Sequence, residues 1–403
     1  MDTVAVDVGT ACVDLAKWDG RALQVEKLPT ADPCVNLTKW LDILGPNTEF
    51  RFSFRSTNAQ FGSAAVVHEI LMMAERRGAS RLDWVRSPHA ERPSMTGARW
   101  FANRHRLGHV LVMDWGSSDA TCGLVDPSEY CEVDFLRSWS CDANGPMKFG
   151  STFSELETWN DARREAKPQV ELVCCGGIGS ALAAKIADRT GFSRALVPEY
   201  AGCLGTIGMI VSPTVFQADV KWEPGPLDAV RLRVGLCELM NQLGHQIALA
   251  GYDFDDVFCD QFVRWGQAGD KIEFSTKCGH APNETHLREI AVRRLAERGQ
   301  STDKHQRLEL RGAMARAVID TRQWELPPPQ MAKCVQTRAL AEEAVREFAP
   351  TGNITERFDL PTGALVVGPA AIREPWHITV VPAGWRAETA RAGGILLRKS
   401  DEP

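Results

Sequence analysis

Val4-Ala5-Val6-Asp7-Val8-Gly9-Thr10 is an apolar run that ends in an aspartate and a glycine turn, and the chain repeats it. The echo is Val110-Leu111-Val112-Met113-Asp114-Trp115-Gly116-Ser117-Ser118. A third apolar run, Val170-Glu171-Leu172-Val173-Cys174-Cys175, leads into Gly176-Gly177-Ile178-Gly179. A turn whose backbone N–H groups must approach phosphate oxygens favours small residues, because a Cβ blocks the approach. An aspartate at a strand end can hold a hydrated magnesium ion beside those phosphates. Two Asp-x-Gly turns and one Gly-Gly-x-Gly turn in a single chain outline a nucleotide cleft.

The surroundings of each turn give the architecture. After the first, Val13–Trp18 reads as a returning strand and Asp19-Gly20 as a hairpin turn. A strand–turn–strand start argues against a P-loop, which runs from strand into helix. Helices are expected near Val35–Leu44 and over Ala64–Arg77, the latter stopped by Gly78. The second unit repeats the plan, with strands Val110–Asp114 and Thr121–Val125. Two such units about a hundred residues apart imply a duplicated α/β architecture. In the third unit strand Gln169–Cys174 passes through its glycine turn into a helix over Ser180–Ala187.

After Pro213 the pattern changes. Leu227–Ala250 has helical apolar spacing, with Val230, Val234, Leu236, Leu239, Leu243 and Ile247 on one stripe. Phe262–Phe274 reads as a hairpin around Gly269-Asp270, Thr285–Arg298 as a charged helix and Leu308–Ile319 as a strand. Pro327-Pro328-Pro329 marks a loop, and the tail from Phe358 reads as small β-structure with a last strand at Ile395-Leu396-Leu397. The expected domains are therefore 1–108, 109–214 and 215–403.

Bulk composition narrows the function classes. The 403 residues are 44% hydrophobic and 24% charged, as in a soluble globular protein with an ample core. With 46 basic and 52 acidic residues the net charge is −6, which points away from nucleic acid and from a polybasic membrane anchor. Met1-Asp2-Thr3-Val4 has no basic or apolar leader and no stretch has the length of a membrane span, so a cytoplasmic location is expected. The 12 cysteines are scattered and several lie in apolar strands, which reads as buried, reduced thiols rather than a disulfide framework. Cys278, His280 and His286 lack a fourth partner at zinc spacing. His245 falls within a helical pattern and reads as a helix residue, not a ligand.

Five segments resemble the A-type, ATP-dependent subunit of the hydantoinase/oxoprolinase family, which includes N-methylhydantoinase, 5-oxoprolinase, acetone carboxylase and acetophenone carboxylase. Asp7-Val8-Gly9 with Asp14 stands where that family has Asp-x-Gly-Gly-Thr-x-Thr-Asp. Asp114-Trp115-Gly116 with Gly123-Leu124-Val125 is similar to its second such motif. Cys175-Gly176-Gly177-Ile178-Gly179, Val197-Pro198 and Leu204-Gly205-Thr206-Ile207-Gly208 are similar to its adenosine-side segment. Arg264-Trp265-Gly266-Gln267 resembles its Arg-Tyr-x-Gly-Gln strand. The tail resembles it through Leu360-Pro361-Thr362-Gly363, Gly368-Pro369-Ala370, Glu374-Pro375, Thr379-Val380-Val381-Pro382 and Gly384-Trp385. The likeness is collinear from about His109 to the C-terminus, and the first half is expected to be abbreviated.

The resemblance implies a duplicated actin/Hsp70/sugar-kinase-like (ribonuclease H-like) fold with a β-rich C-terminal region. It implies ATP and Mg²⁺ as cofactors, with Asp7 and Asp114 catalytic and metal-binding. Gly9, Thr10, Gly116, Ser117, Ser118, Gly176, Gly177 and Gly179 would line the nucleotide. The activity implied is activation of an amide carbonyl, enolate or bicarbonate of a small-molecule substrate by phosphorylation, in a hetero-oligomer with a B-type subunit. The pattern also departs from the family. Thr10 replaces its second glycine, and Ala11 and Val13 replace its two threonines. Ser117 and Ser118 replace glycine and threonine in the second motif, and Thr121 replaces the closing aspartate, with Asp119 two residues earlier. A serine hydroxyl can still bond a phosphate; alanine and valine cannot. Two alternatives stay open: a noncatalytic paralogue that keeps the fold, and a compact condensing enzyme of methanofuran or pterin C1 metabolism. Bland readings also stand for the site residues. The aspartates and serines can cap turns, and the glycines can serve a tight strand-to-helix turn.

Overall fold

The first apolar run forms the central strand of a sheet. Strand β1 (Asp2–Val8) is buried from Thr3 through Asp7, as for a strand covered on both faces. It pairs antiparallel with β2 (Cys12–Trp18), which pairs antiparallel with β3 (Leu23–Pro29). The Asp19 carboxylate accepts the N–H groups of Arg21 and Ala22 and shapes the β2–β3 turn. On the other side β1 runs parallel to β4 (Thr48–Phe54), which runs parallel to β5 (Arg81–Trp84). The order is β3-β2-β1-β4-β5.

This computed structural model describes residues 2–8, 12–29, 48–54, 72, 76, 81–84, 93–116, 119–125, 127, 133–140, 170–212, 214–249, 252–254, 257–267, 273–278, 284–297, 308–319, 353–390 and 393–400. The helix expected near 35–44, and most of that over 64–77, lie outside them.

Helix α1 (Pro93–Arg104) leads into a second sheet. Strand β6 (Val110–Trp115) pairs antiparallel with β7 (Asp119–Val125), and β7 antiparallel with β8 (Val133–Ser140). Strand β9 (Glu171–Cys175) lies parallel to β6. After it come helices α2 (Gly177–Ala181) and α3 (Ala183–Thr190), broken at Leu182, where one helix over Ser180–Ala187 is expected from sequence. Strand β10 (Arg194–Val197) then lies parallel to β9, and helix α4 (Leu204–Val211) follows. The run β8-β7-β6-β9-β10 repeats β3-β2-β1-β4-β5 with the same parallel and antiparallel pairings. The fold is the expected duplicated α/β fold. Its first half carries the same five-strand order as the second.

Residues 213–322 form a compact unit of their own, while Met1–Ser212 and Gln323–Pro403 form the other. In the smaller unit β11 (Thr214–Gly225), helix α5 (Ala229–Leu249), β12 (Phe258–Gln267), β13 (Glu273–Cys278), helix α6 (Glu284–Glu297) and β14 (Leu308–Ile319) follow in order. The sheet order is β11-β14-β12-β13. Helix α5 buries Leu232, Leu236, Leu239, Leu243 and Ile247, whereas Val230 and Val234 of the expected stripe are exposed.

The tail belongs with the larger unit, so 215–403 is not one domain. Its strands are β15 (Asn353–Glu356), β16 (Leu365–Val367), β17 (Ala370–Arg373), β18 (Ile378–Val381), β19 (Trp385–Thr389) and β20 (Ile395–Lys399). Strand β20 pairs antiparallel with β10 and extends the second sheet through β19 to β16. Strands β15, β17 and β18 make a small sheet of their own. The Asp188 carboxylate of α3 accepts the Trp385 indole N–H at 3.2 Å and lies 2.6 Å from Lys399 Nζ, tying the tail to the second half. One core, with Trp100, Trp115 and Trp376 at its centre, joins first-sheet, second-sheet and tail residues. No helix among the described residues is long and apolar enough to cross a membrane.

Helices α1 and α4 cross at backbone distance. A Cβ on Gly208 would lie 1.7 Å from the Pro93 carbonyl oxygen. Gly208→Ala is therefore expected to cost about 3 kcal/mol in chemical denaturation. Gly108→Ala, with nothing within 4 Å of its added Cβ, is the control and should stay within about 0.5 kcal/mol. Equal stability of the two variants would refute the tight crossing.

Candidate functional site

The repeat of topology extends to single residues. Asp7 is the penultimate residue of β1 and Asp114 that of β6. Asp7 stands opposite Asp14 on β2 and Ser53 on β4; Asp114 stands opposite Thr121 on β7 and Cys175 on β9. Both aspartates are nearly buried, 6% and 8% exposed. Each therefore sits at the C-terminal end of the central parallel strand of its half, where α/β sheets place ligands.

The third glycine turn closes on Asp114. Gly176 has φ 81°, a left-handed value that favours glycine. A Cβ there would lie 2.4 Å from the Trp115 carbonyl oxygen and 2.8 Å from Asp114 Oδ1. Only glycine leaves that space beside the carboxylate open. The Gly176 N–H donates to the Ala201 carbonyl at 2.7 Å, and the Ser180 hydroxyl donates to the Gly176 carbonyl at 2.8 Å. Gly179 also packs on the end of β6, since its Cβ would come within 3.2 Å of Trp115 N. Gly177 is exposed with nothing within 4 Å of an added Cβ, so packing does not require glycine there. Gly116 follows β6 and is partly buried. Gly9, Thr10, Ser117 and Ser118 lie outside the described residues.

Two cations that sequence reasoning missed join the first half to this turn. Lys27 on β3 stands opposite Asp14 and lies 3.3 Å from its carboxylate. Its ammonium also donates to the Gly202 carbonyl at 2.7 Å, one residue from the carbonyl that holds Gly176. Arg51 on β4 donates to the carbonyls of Met209 and Ser212 at 2.6 and 2.5 Å. Those carbonyls end α4, where helix groups lack internal partners and favour a cation. The signal for Lys27 was its register: Leu23 and Val25 are buried on alternate positions and Lys27 continues them.

The segment held by Lys27 rests on a buried polar cluster from the tail. Gly202 packs against the Trp376 backbone, and Tyr200 stacks on the Trp376 ring at 5.6 Å. Burial pushes Glu374 up to about 8, with Arg357 opposing and Glu199 adding to the rise. Burial, then Lys27 and Arg357, hold His377 down at about 3. The 3.8 Å contact of His377 Nε2 with Glu374 Oε1 is therefore one between neutral groups near pH 7, not an ion pair. Burial also raises Glu199, against the pull of Arg104 at 3.7 Å.

The cysteines Cys122, Cys174, Cys175, Cys203 and Cys278 are buried thiols outside any disulfide, and burial lifts the Cys174 thiol far above its ordinary range. Cys278 is part of the small unit's core, and His280 lies outside the described residues. Among the described residues no cluster of three or more His, Cys, Asp or Glu is arranged to hold a metal ion. His245 is exposed on α5.

Solved structures share this architecture. An acetone carboxylase determined nucleotide-free, in a study of ATP-dependent acetone carboxylation, superposes with a TM-score of 0.52 at 10% identity, covering 99% of each chain. The ATP-dependent caprolactamase of Pseudomonas jessenii superposes with a TM-score of 0.52 at 14% identity, covering 83% of this chain and 68% of the caprolactamase. The resemblance to the hydantoinase/oxoprolinase group thus holds as a likeness of fold. No protein-family model and no curated protein matches the sequence.

The tail cluster makes a pH prediction. Glu374 is raised from 4.5 to about 8, so the folded state holds its proton and loses stability as pH rises across that window. His377 is lowered from 6.5 to about 3, so its contribution rises with pH and is complete above 6.5. Between pH 6.5 and 8 only the Glu374 decline remains of these two. The melting temperature should fall over that range in the natural chain and fall less in Glu374→Gln. Parallel slopes would remove Glu374 as the cause.

Proposed function

We propose that the larger unit binds Mg·ATP between its two halves. On this reading the chain is the ATP-dependent subunit of a hydantoinase, oxoprolinase or ketone-carboxylase type of enzyme. The observation that carries this is the residue-for-residue equivalence of Asp7 and Asp114 at the ends of duplicated central strands. The ATP dependence of the acetone carboxylase and the caprolactamase supports it.

The residues present fit the group. Two nearly buried carboxylates supply the oxygen donors that magnesium prefers, directly or through water. Gly176 keeps open the space beside Asp114 Oδ1 that a Cβ would fill. In this proposal Asp7 and Asp114 hold the hydrated metal. Gly9, Thr10, Gly116, Ser117 and Ser118 face the phosphates, and Gly176, Gly177 and Gly179 the nucleoside side. Bound Mg·ATP supplies an activated γ-phosphoryl group for an amide carbonyl, an enolate or bicarbonate. The chain's own residues contribute position and charge balance. A B-type partner subunit would complete the reaction on the activated small molecule, in the cytoplasm.

One observation favours a second reading, a fold-keeping subunit without turnover. The residue opposite Asp114 is Thr121, whereas Asp7 faces Asp14, so the two halves differ in charge at the equivalent place.

Calorimetry separates these. Millimolar Mg·ATP should give measurable heat with the natural chain. Asp114→Ala should weaken binding by about tenfold to a hundredfold, the loss of one charged contact of ~1.5–3 kcal/mol, without unfolding. ATPase assay with and without a B-type subunit then decides turnover. No heat and no thermal shift at millimolar nucleotide would refute the nucleotide reading.

A further inference from the structure

We propose that Lys27 is a positioning residue that fixes the Asp7 strand end against the Gly176 turn, a step that rests on reading Asp7 and Asp114 as parts of one site. Five contacts link the two strand ends. Asp7 and Asp14 face each other across β1 and β2. Lys27 lies 3.3 Å from the Asp14 carboxylate and donates to the Gly202 carbonyl at 2.7 Å. The neighbouring Ala201 carbonyl accepts the Gly176 N–H at 2.7 Å. Gly176 in turn abuts Asp114 Oδ1, with no room for a Cβ between them.

The chemistry assigns Lys27 two tasks. Opposed carboxylates at a direct cross-strand position repel, and burial strengthens the repulsion. The Lys27 ammonium, itself 4% exposed, offsets that charge. Its bond to Gly202 anchors a 3₁₀ turn, Ala201–Cys203, that belongs to the second half. A cation on the first sheet therefore sets the position of a backbone segment that seats the glycine turn of the second. Lys27 acts on the Gly176 turn through the Gly202 backbone, which makes it a positioning residue.

Hydrogen exchange on the full chain without nucleotide tests this. Lys27→Met should speed exchange of the Gly176 amide about tenfold or more, while peptides of β12 and β14 stay at natural rates. Asp14→Asn keeps the Lys27–Gly202 bond and should leave the Gly176 amide protected. Lys27→Gln stands in should Lys27→Met fail to fold, with the same expectation. An unchanged Gly176 amide, with faster exchange confined to β1–β3, would overturn the proposal. Repeating the series with millimolar Mg·ATP separates the two levels. Affinity in Lys27→Met should fall about tenfold, or ~1.4 kcal/mol. A natural chain that binds no Mg·ATP would refute the nucleotide reading but leave the exchange result to judge the Lys27 coupling.

Discussion

Two carboxylates opposed across neighbouring strands, Asp7 and Asp14, repel, and Lys27, 3.3 Å from the Asp14 carboxylate, offsets that charge. The position of Lys27 follows from strand register alone, since β3 places it opposite Asp14. Once there, its remaining donors need acceptors, because a buried ammonium without hydrogen bonds is costly. Gly202 supplies one from the second half. A local demand for charge balance therefore becomes a link between the two sheets. Arg51 repeats the device one strand further on, with its guanidinium on the carbonyls that end α4.

The tail serves the same region from the other side. Strand β20 extends the second sheet beyond β10, and Trp376 and His377 lie against Gly202. The turn that seats Gly176 is thus held by Lys27 on one side and by the tail on the other. Around it burial keeps Glu374 protonated and His377 neutral near pH 7, and raises half-buried Glu199 against the pull of Arg104. The second half lacks the first half's opposed carboxylate, having Thr121 opposite Asp114, and so carries less negative charge at the matching place.

Much of this was legible in the sequence. Leu308–Ile319 forms a strand over its expected span, the Leu227–Ala250 pattern forms α5, and the two Asp-x-Gly turns follow equivalent strands. These rest on local periodicity, which a single sequence displays. The pairing of Ala195 with Leu397 was not legible, because no local pattern announces a partner that distant in the chain. For the same reason the sequence does not show that the tail joins the larger unit and not residues 213–322. The break at Leu182 was hidden because the apolar run continues through it. A lone lysine in a short strand, as Lys27 is, reads as solvated until its alternation with Leu23 and Val25 is counted. Among the candidate site residues, Asp7, Asp114, Gly176 and Gly179 occupy places the fold gives them, while Gly177 is exposed where no packing asks for glycine.

The central claim is that Asp7 and Asp114 serve a single metal–nucleotide site. The most direct measurement is a crystal structure of the full chain grown with Mn²⁺ and a non-hydrolysable ATP analogue, with the anomalous signal used to locate the metal. The account predicts one manganese peak beside the carboxylates of both Asp7 and Asp114, with the analogue's phosphates at the adjoining glycine turns. A peak that neither aspartate approaches, or an analogue bound away from these turns, would contradict it.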